Sequence, residues 1–291
     1  MSVREQLEVA TPFDAEGMLG FLGTRAIAGI EEVSDGTYRR SLRLQGGPAL
    51  VEVGIAANAV EVELWPTRSV DRAEASAAVR RLFDLDTDPG PIDRALSTDP
   101  LMAPLVARRP GRRLPGAVEP GEMAMRAVLG QQVSVAAGIT LAGRLVTELG
   151  EPLAEPRGAV THLLPTMDRL AGVDPASLAM PASRKRALVA ICSALADGSL
   201  DLSPGADPEG ARAAMVALPG IGPWTAEYVA MRGLGDGDAF LASDLGVRRA
   251  LERLGVDGSP SNALEIAKRW RPFRAYAQQH LWASLGDSAA A

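Results

Sequence analysis

The chain is poor in the residues that hold metals and redox centres: one cysteine, Cys192, and two histidines, His162 and His280, in 291 residues. A single thiol excludes an internal disulfide framework and any four-thiolate zinc or iron–sulfur site. The histidines stand far apart and make no metal-ligand spacing, so no cofactor is expected. Lysine is almost absent, with only Lys185 and Lys268. No apolar run approaches the roughly 18–20 uncharged residues of a membrane helix. The opening MSVREQLEVATPFD has no basic region followed by an apolar core, so no signal peptide is read. A reducing, cytoplasmic setting is the expectation.

Net charge is −6, which by itself argues against a nucleic-acid partner. The acidity is unevenly spread, however. Residues 1–100 carry 10 basic and 17 acidic side chains, and residues 101–291 carry 20 and 19. The second part is therefore near neutral, with basic clusters at Arg108, Arg109, Arg112 and Arg113, at Arg248 and Arg249, and from Lys268 to Arg274. Affinity for a polyanion would rest on such patches and on backbone amides, and would be salt-sensitive.

Residues 18–30 place Met18, Leu19, Leu22, Ala26 and Ile30 near one helical face. YRRSLRLQ (38–45), ALVEVGIA (49–56) and AVEVELWP (59–66) then alternate apolar and polar residues around Gly46-Gly47-Pro48 and Ala57-Asn58. This predicts three antiparallel strands in a meander, followed by a helix over 72–85. From residue 89 the alternation stops. A proline-punctuated connection leads into helical segments near 119–131, 134–149, 166–172, 184–197, 208–217, 223–233, 244–255, 261–269 and 273–285. The expectation is an α+β protein: residues 1–88 form an antiparallel-sheet domain, and residues 89–291 an all-α domain.

The most informative stretch is LPGIGPWTAEYVAMRG, residues 218–233. Two glycines one residue apart allow a sharp turn and a close approach to a ligand, and Pro223 suits the first position of a helix. Amides of Gly220, Ile221 and Gly222 at a helix start could hold a phosphate oxygen. Glycine spacing alone describes an ordinary capped helix–turn–helix connection equally well. Further on, Asp244 precedes Val247, Leu251 and Leu254 at helical spacing, which marks a helix N-cap. A carboxylate fixed there also suits a cationic transition state. Of 12 aromatic residues, seven lie between Trp224 and Trp282. Trp224 and Tyr228 share a helix face at i and i+4. Trp270 and Phe273 are assigned to the core.

Taken in order and spacing, MLGFLGTRAIAGIE, RRLFDL, RPGRRLPG, RAVLGQQVSVAA, LPGIGPWTAEYVAMRG and RWRPFRAYAQQHLW resemble the helix-hairpin-helix DNA glycosylase superfamily. The likeness is closest to AlkA-type 3-methyladenine DNA glycosylases and covers nearly the whole chain. It implies a front sheet shaped like the TATA-binding protein, a helical domain carrying the hairpin, a monomer, and duplex DNA with alkylated bases as partner. Fusion to an alkyl-transfer module also occurs in that family. By position, Asp244 would be the catalytic carboxylate. Trp224, Tyr228, Trp282 and Phe21 would line the base pocket. Gly220, Ile221, Gly222, Thr225 and Gln132 would meet DNA, Gln132 standing where some relatives have a leucine that fills the gap in the duplex. Carbonyls of Val216, Leu218 and Gly220 are the candidates for a monovalent cation.

The reaction implied is hydrolysis of the N-glycosidic bond of an extruded alkylpurine in base excision repair. Bifunctional relatives attack the sugar with a hairpin lysine. Here Trp224 holds that position and neither lysine is near it, so a monofunctional enzyme is expected. The alternatives are a lyase after all, or a non-catalytic DNA-binding module that uses the hairpin only as a phosphate clamp.

Overall fold

A computed structural model describes residues 2–56, 59–65, 69–174, 176 and 178–286. The first part runs β1 (Val3–Glu8), α1 (Ala15–Gly23), β2 (Glu31–Ser34), β3 (Thr37–Leu44), β4 (Gly47–Ile55), β5 (Ala59–Trp65) and α2 (Ser69–Phe83). The strands form one antiparallel sheet in the order β1-β5-β4-β3-β2. Its register sets Tyr38 opposite Val53, and Val53 opposite Val62. Alternate residues therefore share one face, which buries Tyr38, Leu42, Val51, Val53, Val62 and Leu64 with Met18, Leu22 and Phe83 of the two helices.

The three expected strands are β3, β4 and β5. The turn at Ala57-Asn58, and Pro66, lie outside the described residues. Both edge strands, β1 and β2, went unpredicted. Their sequences VREQLE and EEVS are dominated by charge, a common protection of sheet edges that erases the apolar alternation.

The remainder comprises α3 (Pro89–Leu96), α4 (Ala103–Arg108), α5 (Pro120–Leu129), α6 (Val135–Leu149), β6 (Glu151–Arg157), β7 (Val160–Leu163), α7 (Met167–Ala171), α8 (Ala182–Ala196), α9 (Pro208–Val216), α10 (Pro223–Gly233), α11 (Leu245–Arg253), α12 (Pro260–Ala267) and α13 (Arg274–Gly286). The expected proline-rich connection contains α3 and α4. Pro89 and Pro104 stand in the first turn of these helices, where a missing N–H costs nothing. They start helices rather than break them.

One feature departs from an all-helical second part. β6 and β7 form a two-stranded hairpin, and it leans back on the front sheet. Thr161 and His162 donate backbone N–H to the Gly29 carbonyl at 2.8 and 2.9 Å, and Arg43 meets Glu151 at 2.8 Å. Pro152 and Pro156 conceal the strand in the sequence, because proline is tolerated only at a sheet edge. Among the described residues no helix is long and apolar enough to cross a membrane.

Three hydrophobic cores result. One underlies the front sheet, one is built from α5 to α10, and one joins α3 and α4 to α11, α12 and α13. A buried ionic cluster links the sheet to α5. Arg40 reaches Glu122 at 2.7 Å, Arg126 pairs with both Glu122 and Glu31, and the Tyr38 hydroxyl donates to Glu31 at 2.6 Å. Burial pushes the Glu122 carboxyl up, but Arg40 and then Arg126 outweigh it and hold the group at about 2.

Candidate active site

The loop Leu218–Gly222 connects α9 to α10. Gly220 has φ +80°, and a Cβ there would stand 2.9 Å from Ala187 Cβ on α8, so glycine is required twice over. Gly222 is the N-cap of α10, with extended backbone and no side chain to cap the helix. Open space surrounds the position a Cβ would take. An anion can therefore approach the first turn unobstructed.

The residues proposed to meet DNA divide into two groups. Gly220 and Gly222 lie at the surface of the hairpin, and Gln132 is exposed at the α5–α6 turn with φ +54°. Ile221 and Thr225 point inward instead, at 5% and 2% exposure. Ile221 packs into the helical core. The Thr225 hydroxyl accepts from Gln131 Nε2 at 3.0 Å, so its side chain is a tether and not a DNA contact. The same Gln131 amide donates to the Gly220 carbonyl at 3.1 Å. Of the carbonyls considered for a cation, Leu218 accepts from the Ile221 amide at 3.2 Å and Gly220 from Gln131. Among the described residues no cluster of three His, Cys, Asp or Glu could hold a metal.

The basic clusters also divide. Arg112 and Arg113 are buried. Arg109 and Arg112 pair with Asp14, Arg269 with Asp99, and Arg271 and Arg274 with Asp238. Most of this positive charge is internal. Arg248 and Arg249 on α11 remain exposed, just beyond Asp244.

Asp244 is the N-cap of α11, its Oδ1 accepting from the Val247 amide at 3.1 Å. Two indoles add to this: Trp282 Nε1 donates to Oδ1 at 2.8 Å and Trp224 Nε1 to Oδ2 at 3.2 Å. The half-buried carboxylate is thus held by three neutral N–H donors from α10, α11 and α13. Trp224 stacks on Tyr228 with ring centroids 5.2 Å apart and planes within 8°. Tyr228 and Trp282 stand 6.4 Å apart at a 50° tilt. A flat ring between two faces needs about 7 Å, twice a van der Waals contact. The Tyr228–Trp282 gap approaches that width, whereas the Trp224–Tyr228 gap is closed. Phe21 of α1 stacks on Trp282 at 6.3 Å.

Phe21 packs against the sheet core, Tyr228 against both others, and Trp224 and Trp282 against the third. The site lies where all three meet. Trp270 is fully buried in the third core, with Phe273 against it.

Two arginines complete the wall, and neither was singled out from the sequence. Arg232, one turn beyond Tyr228, donates from Nη1 to its hydroxyl at 2.9 Å and from the rest of its fork to the carbonyls of Pro115 and Gly116. The Arg25 guanidinium lies over the Phe21 ring at 3.8 Å. Burial alone would raise the Tyr228 phenol, but Arg232 and Arg25 hold it below its ordinary value. The i, i+4 spacing of Tyr228 and Arg232 was a usable signal for one of them; none existed for Arg25.

A hairpin amide site beside a capped carboxylate in an aromatic box is the arrangement of a helix-hairpin-helix glycosylase scaffold, and the fold agrees. The structure of the 3-methyladenine DNA-glycosylase from Archaeoglobus fulgidus is similar with a TM-score of 0.82, over 96% of this chain and 97% of that one, at 22% identity. Residues 4–119 match the family model of the AlkA N-terminal domain. The sequence is 36% identical over 280 residues to DNA-3-methyladenine glycosylase 2 of Escherichia coli (strain K12), covering 94% of this chain and 95% of that protein. It is 47% identical over 284 residues to a probable bifunctional transcriptional activator/DNA repair enzyme AlkA of Mycobacterium tuberculosis (strain ATCC 25618 / H37Rv). That match takes 98% of this chain but only 57% of the relative, so the chain spans little more than half of that protein. The chain belongs to the AlkA-type DNA-3-methyladenine glycosylase 2 family.

Proposed function

We propose that this protein is a monofunctional DNA glycosylase that hydrolyses the N-glycosidic bond of alkylated purines in duplex DNA. The observation that carries this reading is a carboxylate held by two indole N–H groups and a helix amide beside a gap of nearly one ring's width.

A stacked base is out of reach of any side chain, so the nucleotide must be swung out at a cost of a few kcal/mol. The hairpin amides would grip a phosphate, and the exposed Gln132 turn would enter the space left behind. The base would then lie between Tyr228 and Trp282. As the bond to the sugar breaks, positive charge grows at C1′. Asp244 would stabilise that charge and orient the attacking water. Its protein partners are neutral donors that fix its direction without cancelling its charge. A base alkylated at N3 or N7 carries positive charge and departs without a general acid. Trp224 at the hairpin position leaves no amine for a Schiff base.

The same proposal divides the chain at residues 88 and 89 and has it act as a monomer. Support for the division comes from the separate cores on either side, although the β6–β7 hairpin reaches back across it.

The test is excision from a duplex carrying 3-methyladenine, with strand breaks read before and after alkali. Breaks only after alkali are expected from the wild type. Asp244→Asn should lose about 10³-fold in rate. Wild-type excision by this variant would leave the hairpin as a DNA clamp only, and breaks without alkali would indicate a lyase.

A further inference from the structure

A pocket for cationic bases should shun positive charge, yet two guanidiniums stand on its wall. Among the described residues neither Arg25 nor Arg232 has a carboxylate within 4 Å. Arg232 is nevertheless fully engaged, its fork spent on two carbonyls and the Tyr228 hydroxyl. Arg25 is not. It donates from Nη1 to the Thr24 hydroxyl at 3.1 Å and to the Phe21 carbonyl at 3.4 Å, and it interacts with the Tyr228 hydroxyl. A guanidinium has five N–H donors, so some are left for a ligand.

Its position is also fixed. Arg126 of the buried ionic cluster donates to the Arg25 carbonyl at 2.9 Å, and the Phe21 face supports the guanidinium from below. Burial disfavours its charge, a cost that nothing else in the free protein offsets. Arg25 is separated from Asp244 by the Phe21 and Trp282 rings, and it borders the Tyr228 side of the gap. A base held in that gap would have the carboxylate at its sugar margin and the guanidinium at its far rim.

This rests on the base-pocket reading above. We propose that Arg25 is a specificity residue: it favours uncharged lesion bases with a carbonyl on the rim, such as a deaminated adenine, over cationic alkylated ones. When the bond to a neutral base breaks, both bonding electrons stay with the base, which departs with negative charge spread onto its rim oxygen. Water supplies the oxygen to C1′ and gives up a proton. A guanidinium at the rim stabilises that departing charge. A cationic base leaves neutral, and the same guanidinium only repels it on arrival.

The experiment compares kcat/KM for hypoxanthine and for 7-methylguanine in otherwise identical duplexes, at one ionic strength, for the wild type, Arg25→Gln and Arg25→Lys. The hypoxanthine to 7-methylguanine ratio should fall on the order of tenfold in R25Q. R25K should recover part of it by keeping the charge without the planar fork. Both substrates are measured on one preparation, so any partly unfolded fraction cancels in the ratio. Equal losses on both bases, or an unchanged ratio, would overturn the role of Arg25 and leave the glycosylase reading intact. A wild type that excises neither base would instead overturn the glycosylase reading itself.

Discussion

Two carboxylates in this protein are held by several donors each, and they differ in what the donors are. Glu122 sits in the interior against the guanidiniums of Arg40 and Arg126. Asp244 lies half-buried at a helix start against two indoles and one amide. The first carboxylate is matched by full positive charges and has nothing left to offer a ligand. The second is oriented just as firmly, but by dipoles, and keeps its charge for whatever enters the gap. Cationic partners make a joint; neutral partners make a tool.

This contrast can be broken at either end. The largest effect expected is the thousandfold loss of excision in Asp244→Asn, with thermal stability little changed because the amide can still accept from Val247. The opposite pairing is expected at the other carboxylate. Glu122→Ala leaves two buried guanidiniums facing an empty space, and should cost about 3–5 kcal/mol of stability by urea unfolding. Acid sharpens the point. The Glu122 carboxyl is held at about 2 when folded, below its unfolded value near 4.5. Its contribution is therefore complete above about pH 4.5 and lost as pH falls towards 2. The gap in stability between wild type and E122A should narrow across that window, and a constant gap would contradict the assigned pairing.

Smaller effects probe the supports. Trp282→Phe keeps a ring beside Phe21 but removes the 2.8 Å indole bond. Excision should fall on the order of tenfold through misorientation of Asp244, with abasic product formation as the readout. Smallest of all, Gln131→Ala should cost about 1 kcal/mol of unfolding free energy. It should also raise the KM for duplex more than it lowers kcat.

What could be read from the sequence follows the range of the interactions involved. The hairpin, the N-cap at Asp244 and the shared face of Trp224 and Tyr228 are local, set by residues within one or two turns. The middle strands show because both their faces follow one alternation. The edge strands do not, since charge replaces that alternation where no neighbour covers it. The β6–β7 hairpin was hidden because its partner surface is more than a hundred residues away in the chain. The same holds for the facing of Thr225 and Ile221, which depends on α8 and the Gln131 turn, and for the arginines counted as DNA-facing but spent on Asp14, Asp99 and Asp238. Arg25 is the extreme case. Its importance comes only from Phe21, Tyr228 and Trp282 meeting around it, and nothing in TRAIAG suggests it.

The single amide of Gln131 that spans the two loops has a mechanical implication. With one hydrogen on the Gly220 carbonyl and the other on the Thr225 hydroxyl, it makes the Gln132 turn and the hairpin into parts of one jaw. Neither half can then advance on a double helix without carrying the other. Such a coupled jaw measures the span between a backbone phosphate and the vacated stack, and a duplex too wide or too narrow at that step would be refused before any chemistry begins.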